Sequence, residues 1–421
     1  MQRYDTYKDS GVKWLGEIPS HWEMKRLASY FTERRVKVSD KEYEPLSVTK
    51  LGVFPQWENV AKTNDGDNRK LVKKGDFVIN SRSDRKGSSG VADRDGSVSL
   101  INIVLKPRNT IRADFSNYLL KSYKFIEEYY RNGRGIVADL WTTRYDEMKM
   151  IKLAVPPLEE QTAIASYLDT ATAKIDAAIA QQQKMIDLLN ERKQIIINRA
   201  VTKGLNPNAK MKDSGVEWIG EVPEGWDTCA LKKKAKVILG KMLSNNPTNK
   251  YKYICAKDVH YGEIDTSDLK EMSFTHEERQ LYEVKKGDML IVEGGAGAGG
   301  CAIVKEDLKN IYIQNSIMIV RGAENLLNDY LCFFMQSINQ KGYIEYICNK
   351  ATIPHFTKEK VGAVIIPLPP FKKQVEIVDY LNTAIAPIDD AIKNCQNQIS
   401  LLQERKQIVI NEVVTGKIRI V

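Results

Sequence analysis

Apolar side chains at Ile164, Leu168, Ala171, Ile175, Ala178, Met185, Leu189 and Ile196 follow alternating steps of three and four. That is the spacing of a coiled-coil seam, in which one stripe of an α-helix meets a partner helix. The spacing returns at Ile377, Leu381, Ala384, Ile388, Ala391, Gln398, Leu402 and Val409. Polar Gln182, Arg192 and Arg405 fall on the stripes and make them imperfect. Thr170 and Thr383 suit helix N-caps, and Pro387 suits a first helical turn, where its missing N–H has no partner to lose. The pattern predicts a short helix over about 158–169, a break, and a long helix over about 172–202, repeated in the later segment. At 1.5 Å per residue the long helix would span roughly 45 Å. Two such helices in one chain pack most simply on each other, antiparallel, as a rigid spacer.

The rest of the chain has a different rhythm. Short apolar runs at Phe77–Ile79, Ser99–Leu105, Tyr253–Ala256, Met289–Val292 and Ile311–Val320 predict strands. Two aromatic-rich stretches, NYLLKSYKFIEEYYRN (117–132) and DYLCFFMQSINQKGYIEYICN (329–349), predict helices whose rings fill a core. The expected class is α+β: two mixed α/β domains separated by two long antiparallel helices, with a pseudo-twofold internal repeat.

The repeat runs beyond the helices. KDSGVKWLGEIPSHWE (8–23) returns as KDSGVEWIGEVPEGWD (212–227), with ten of sixteen positions identical. PPLEEQTAIASYLD, opening at Pro156, returns as PPFKKQVEIVDYLN at Pro369. Between these anchors, 24–155 and 228–368 share little beyond fragments such as KKGDFVI (73–79) and KKGDMLI (285–291). The order is variable, constant, variable, constant. A duplicated chain keeps what both halves do alike and diverges where they differ. Trp14, Trp22, Trp218 and Trp226 are kept in both copies and read as scaffold anchors.

Composition narrows the function. The 421 residues carry 63 basic and 54 acidic side chains, a net charge of +9, which suits a polyanionic partner. Mean hydropathy is −0.39. The polar start MQRYDTYKDS has no signal-like apolar region, and no apolar run approaches the roughly 20 residues needed to span a bilayer. The expected location is cytoplasmic. The six cysteines all lie in the second half without a CxxC pair, and the four histidines form no ligand pattern. Neither a disulfide framework nor a metal centre is expected.

Candidate chemistry mostly fails on context. GGAGAGG (294–300) contains GxGxxG, but a dinucleotide site needs a helix next, and here another strand follows. LPPF (368–371) resembles an amino-methyltransferase signature, yet Leu368 stands where an Asn or Asp acceptor is required. ExK triplets at Glu147–Lys149 and Glu283–Lys285, with Asp139 and Asp268 upstream, suggest a metal-dependent nuclease only if the carboxylates converge. No catalytic residue and no metal ligand is assigned.

What remains are polar, basic, glycine-punctuated loops suited to phosphates and base edges. In the first variable segment the candidates are Asn80, Ser81, Arg82, Arg85, Lys86 and Ser88, with Arg131, Arg134, Thr142, Thr143 and Arg144. In the second they are Lys241, Ser244, Asn245, Asn246, Gly295, Gly297, Asn349, Lys350, Thr352 and His355.

The ordered duplicate SGVxWxGxxPxxW, GD with an apolar strand, and PPLEEQxxIAxYLD running into a long helix resembles the specificity subunit of Type I restriction–modification systems. The resemblance covers nearly the whole chain. The KKQ at 372–374, where the first copy has EEQ, leaves the helix intact and puts little in doubt. The resemblance implies target-recognition domains at 1–155 and 206–368, with conserved helical regions at 156–205 and 369–421. Each domain would read one half of a split DNA target, and the helices would set the gap. Half-sites on one face of DNA lie about 34–36 Å apart per turn, within reach of such a strut. It also implies a non-catalytic chain without its own cofactor. Two methyltransferase subunits would carry S-adenosylmethionine, and restriction subunits would use ATP and magnesium. The N- and C-terminal segments would meet, closing the repeat in a circle. Two other readings stand beside it: a stand-alone sequence-specific DNA-binding protein, and a nuclease using an ExK carboxylate.

Overall fold

A computed structural model describes residues 2–56, 66–135, 141–243, 249–295, 297–348 and 354–420. The chain divides into two compact units, residues 1–183 with 396–421, and residues 184–395. Each unit holds one variable segment, its opening motif, and part of both long helices.

In the first unit an antiparallel sheet runs Ser89–Val91, Phe77–Asn80, Asn102–Pro107, Phe31–Glu33. In the second, the order is Cys301–Ile303, Met289–Val292, Ile317–Gly322, Ala235–Leu239, also antiparallel. Segments with little common sequence thus build the same sheet. Both central strands, FVIN and MLIV, are buried at every position because the sheet is covered on both faces. The shared KKGD fragment is the turn that feeds them. Asp76 accepts the Lys73 amide at 2.9 Å and Asp288 accepts the Lys285 amide at 2.8 Å. Gly75 (φ +91°) and Gly287 (φ +86°) supply the left-handed backbone between. Each carboxylate then takes a two-pronged guanidinium: Arg34 on Asp76 at 2.6 and 3.1 Å, Arg321 on Asp288 at 2.8 and 2.8 Å.

Each unit adds a small three-stranded sheet. In the second unit the predicted strand Ile311–Val320 is two strands. Ile311–Ile313 joins the small sheet and Ile317–Gly322 the large one, because Gln314 turns the chain between them and its amide bonds to Ile254 O at 3.1 Å. The aromatic stretches are helical and each is broken once. Ala113–Lys121 gives way to Tyr123–Arg131 at the N-cap Ser122, and Asn328–Gln340 to Tyr343–Ile347 at Gly342.

The long helices depart from expectation. Leu158–Lys203 is one helix of 46 residues and Phe371–Val414 one of 44, so the break predicted near Thr170 does not occur. Each spans roughly 65–70 Å rather than 45 Å. The Thr170 and Thr383 hydroxyls do not cap. They donate to carbonyls four residues back, Ser166 O at 3.0 Å and Asp379 O at 2.9 Å. Pro387 lies inside the second helix on an exposed face, where water can serve the carbonyl it leaves unbonded.

Within the first unit the helices run antiparallel: Ile164 and Leu168 cluster with Val409, Ile410 and Val413, while Asp176 meets Lys406 at 2.6 Å. Within the second, Ile197 and Val201 cluster with Ile377 and Leu381, while Lys193 meets Asp389 at 2.6 Å. The two ion pairs are copies of one another. The seam is buried at its ends (Ile164, Leu168, Ile377, Leu381, Ile388, Val409) and half-buried at Ile175, Leu189, Ile196 and Leu402. Two helices alone cannot enclose a full apolar stripe.

A buried glutamine fastens each helix to its domain. Gln161 Nε2 donates to Pro156 O (2.9 Å) and Thr110 O (3.1 Å), and its Oε1 accepts the Arg112 amide (2.8 Å). Gln374 repeats this with Pro369 O (2.9 Å), Asn325 O (2.9 Å) and the Leu327 amide (2.8 Å). The residue beside it is not repeated. Buried Glu160 accepts from the Trp22 indole (3.1 Å), contacts His21 Nε2 (2.8 Å) and takes the Tyr4 hydroxyl. Lys373, its counterpart, faces solvent and pairs with Glu376 at 2.6 Å. The EEQ-to-KKQ difference therefore changes the local structure around the opening motif, although both helices survive it. The chain ends close onto the first unit: the Arg419 amide donates to Gln2 O at 2.9 Å and the Tyr7 hydroxyl to Gly416 O at 3.1 Å.

Candidate nucleic-acid interface

In the first unit two loops leave the same edge of the fold. One follows the buried strand Phe77–Asn80, and the other follows the helix Tyr123–Arg131. A bridge between Arg82 and Thr142 joins them, extended by the Thr143 amide donating to Ser81 O (3.0 Å) and the Ser83 amide to Trp141 O (3.1 Å). A second bridge, Arg134 to Thr142, brings in the start of the later loop.

The aromatic helix holds this arrangement from beneath. The Tyr130 hydroxyl lies 3.1 Å from Arg82 O and 3.2 Å from Asn80 O. The Tyr129 hydroxyl donates to Thr143 O at 2.9 Å, and the Thr143 hydroxyl donates back to Tyr129 O at 3.1 Å. The Trp141 indole donates to Tyr130 O at 2.7 Å. Burial raises the Tyr130 hydroxyl to about 12 and that of Tyr129 well above its usual range, so both stay protonated donors into the alkaline range where a free phenol would ionise. The rings are core, as expected, but their hydroxyls shape the loops. Sequence reasoning missed that role. The paired tyrosines at the end of an amphipathic helix were the available signal.

The loop candidates separate by burial. Asn80, Ser81, Ser88 and Thr143 are buried, and two of them serve the backbone, Asn80 Oδ1 accepting the Arg82 amide at 3.0 Å and the Thr143 hydroxyl donating to Tyr129 O. Arg82, Arg85, Lys86, Arg131, Arg134 and Arg144 are exposed, and Thr142 is half-exposed. Several of these cations carry an acid of their own: Lys86 with Glu127 (2.6 Å), Arg131 with Glu128 (2.6 Å), Arg134 with Glu147 (3.5 Å), Arg85 with Asp84 (3.7 Å). Arg82 and Arg144 have no such partner among the described residues.

The second unit repeats the bridge. Gly294 pairs with His355, and the Phe356 amide donates to Glu293 O at 2.7 Å. These positions match Arg82, Thr142, Thr143 and Ser81 in the duplicated frame. Gly295 (φ +84°) and Gly297 lie in a tight turn before strand Cys301–Ile303, with no helix to face a pyrophosphate. Lys241 is withdrawn from any ligand. It bonds to Glu278 Oε2 (2.6 Å) and Ser273 O (2.8 Å) and lies over the Phe274 ring. Ser244, Asn245, Asn246, Asn349, Lys350 and Thr352 lie outside the described residues.

Of the nuclease carboxylates, Glu147 accepts the Arg144 amide at 3.1 Å, capping the short helix Tyr145–Met148, and exposed Asp268 lies near Lys257. Asp139 lies outside the described residues. Among the described residues no three His, Cys, Asp or Glu side chains gather as a metal site, and no helix is long and apolar enough to cross a membrane.

Residues 19–186 and 223–401 match the family described as the type I restriction modification DNA specificity domain, once in each half of the chain. The chain belongs to the type I specificity subunits. It is similar to the type I restriction enzyme MjaVIII specificity subunit of Methanocaldococcus jannaschii, 24% identical over 98% of this chain and 97% of that protein. It is similar also to the EcoKI specificity subunit of Escherichia coli K12, 22% identical over 75% of this chain and 68% of that one. A solved chain from a study of complex assembly and conformational transition of the type I R-M system shares the fold. Its TM-score is 0.71 at 15% identity, covering 95% of this chain and 99% of that chain. A specificity subunit is the non-catalytic DNA-recognition component of its complex, with DNA and a methyltransferase as partners.

Proposed function

We propose that this specificity subunit reads a bipartite DNA target, one half with each unit, and that its long helices fix the gap between the halves. The reading rests on one observation. The backbone bridge between two loops is built twice, by Arg82–Thr142 and by Gly294–His355, on the same sheet and with different side chains. A duplicated frame that carries different side chains on its loops fits two readers of two sequences.

The helices also fit a docking role. Leu188 and Ile195 on the first, and Leu401 and Ile408 on the second, are repeat-related apolar side chains more than half exposed. Two copies of one stripe suit two methyltransferase subunits, and restriction subunits would join the same complex. The chain itself holds no cofactor. S-adenosylmethionine belongs to the methyltransferase, and ATP with magnesium to the restriction subunit. The complex works in the cytoplasm, beside the DNA it modifies.

Methylation mapping in a host expressing the chain with its methyltransferase tests this. A split motif, methylated on adenine, is expected. Exchanging residues 24–155 for another domain of the family should change one half only. A single uninterrupted motif, or change in both halves, would remove the proposal.

A further inference from the structure

A side chain that reads a base needs a fixed backbone and an unengaged end. Arg82 has both. Its amide is held by Asn80 Oδ1 (3.0 Å), its carbonyl lies 3.1 Å from the Tyr130 hydroxyl, and it bridges to Thr142. The flanking Ser81 O and Ser83 N are bonded across the same loops. Yet among the described residues no carboxylate meets its guanidinium, whereas Arg85, Lys86, Arg131 and Arg134 each have one within 3.7 Å.

An arginine already paired has its charge offset and its fork occupied. It can brace a loop or approach a phosphate, but bidentate recognition must first break the pair. Among the described residues Arg144 also lies in no ion pair, but its backbone is held only within its own helix cap, the amide by Glu147 Oε2 (3.1 Å) and the carbonyl by the Met148 amide (3.0 Å), and it makes no bridge to the other loop. The duplicated frame supplies a comparison. The counterpart of Arg82 is Gly294, which holds the same bridge with no side chain at all. The frame does not need an arginine there, so what Arg82 adds lies outside the fold.

We infer that Arg82 is a specificity-determining residue that reads a guanine in the half-site of the first unit, through its O6 and N7 in the major groove. Arg144 contributes a phosphate contact, and the second unit reads no base from position 294. This rests on the bipartite reading above, and the experiment separates the two.

The complex of this chain with its methyltransferase is assayed on duplexes carrying the mapped motif. Each guanine of the first unit's half-site is replaced in turn by 7-deazaguanine, which lacks the N7 acceptor. One position should weaken wild-type binding by about fivefold or more. The same replacement should leave Arg82→Ala unchanged, and that variant should accept other bases there. Arg144→Ala should weaken all sequences alike and flatten the salt dependence. If Arg82→Ala melts early, Arg82→Gln takes its place, keeping length and polarity without the fork.

A first half-site without guanine overturns the inference. So does a 7-deazaguanine effect equal in wild type and variant. If the exchange of residues 24–155 also fails to change one half of the motif, the bipartite reading falls. If that exchange succeeds and only the Arg82 result is flat, Arg82 alone is refuted.

Discussion

Replacing Gln161 by alanine removes one side chain and orphans three backbone groups. Pro156 O is buried, while Thr110 O and the Arg112 amide are partly so. At about 1 kcal/mol for each hydrogen bond, with more for the buried carbonyl, the loss is about 3–5 kcal/mol. For a unit of this size that lowers the melting midpoint by roughly 6–20 °C. The cost has a signature that packing alone would not give. Gln161→Leu fills the space but keeps water from the stranded groups, whereas Gln161→Ala lets water in. Leucine should therefore be at least as damaging as alanine. Gln161→Glu should be worse than alanine, since it sets a buried carboxylate against two carbonyl oxygens. Thermal melts rank the variants, and amide exchange locates the damage. Exchange at Arg112 should accelerate in Gln161→Ala, and exchange at Leu327 in Gln374→Ala. A loss under about 1 kcal/mol, or leucine restoring the stability lost in alanine, would refute the hydrogen-bond account.

Glu160→Lys should destabilise the first unit by about 2–4 kcal/mol, placing a cation against the Trp22 and Tyr4 donors, while Lys373→Glu changes a solvated site by under about 0.5 kcal/mol; urea unfolding measures both. Tyr130→Phe should remove one late phenol from an absorbance titration and weaken DNA binding by the first unit. The Tyr130 hydroxyl is raised to about 12 in the fold, so its contribution is complete below about pH 10 and is lost between about 10 and 12, where only the unfolded state has ionised. Leu188→Asp with Leu401→Asp should abolish co-purification with the methyltransferase and leave the melting midpoint within about 3 °C, since both side chains already face water.

The long helices were legible because their stripes repeat and because they occur twice. Their continuity through Thr170 and Pro387 was not. Local preference marks Thr as a cap and Pro as a breaker, but Ile164 and Leu168 below and the partner helix above hold the backbone helical. The buried glutamines were written in the repeat, as the one polar residue shared by EEQ and KKQ. Their role needs the carbonyls of Thr110 and Asn325, which lie some fifty residues away and carry no sequence mark. Among the loop candidates, residue type could not separate Asn80, which serves its own turn, from Arg82, which does not. Lys241 shows the same limit: a basic residue in a glycine loop looks available until Glu278, thirty-seven positions later, folds onto it.

The bridge between the loops is made by amides and carbonyls, Thr143 to Ser81 and Phe356 to Glu293. Such bonds are indifferent to the side chains they carry. The residues above the bridge can therefore be rewritten, or a whole variable segment exchanged, without the frame having to be renegotiated. New target sequences can arise by substitution at a few exposed positions while stability stays with the strands, the tyrosines and the glutamine beneath. For a DNA-recognition subunit, inheritance of the fold and invention of the target are thereby physically uncoupled.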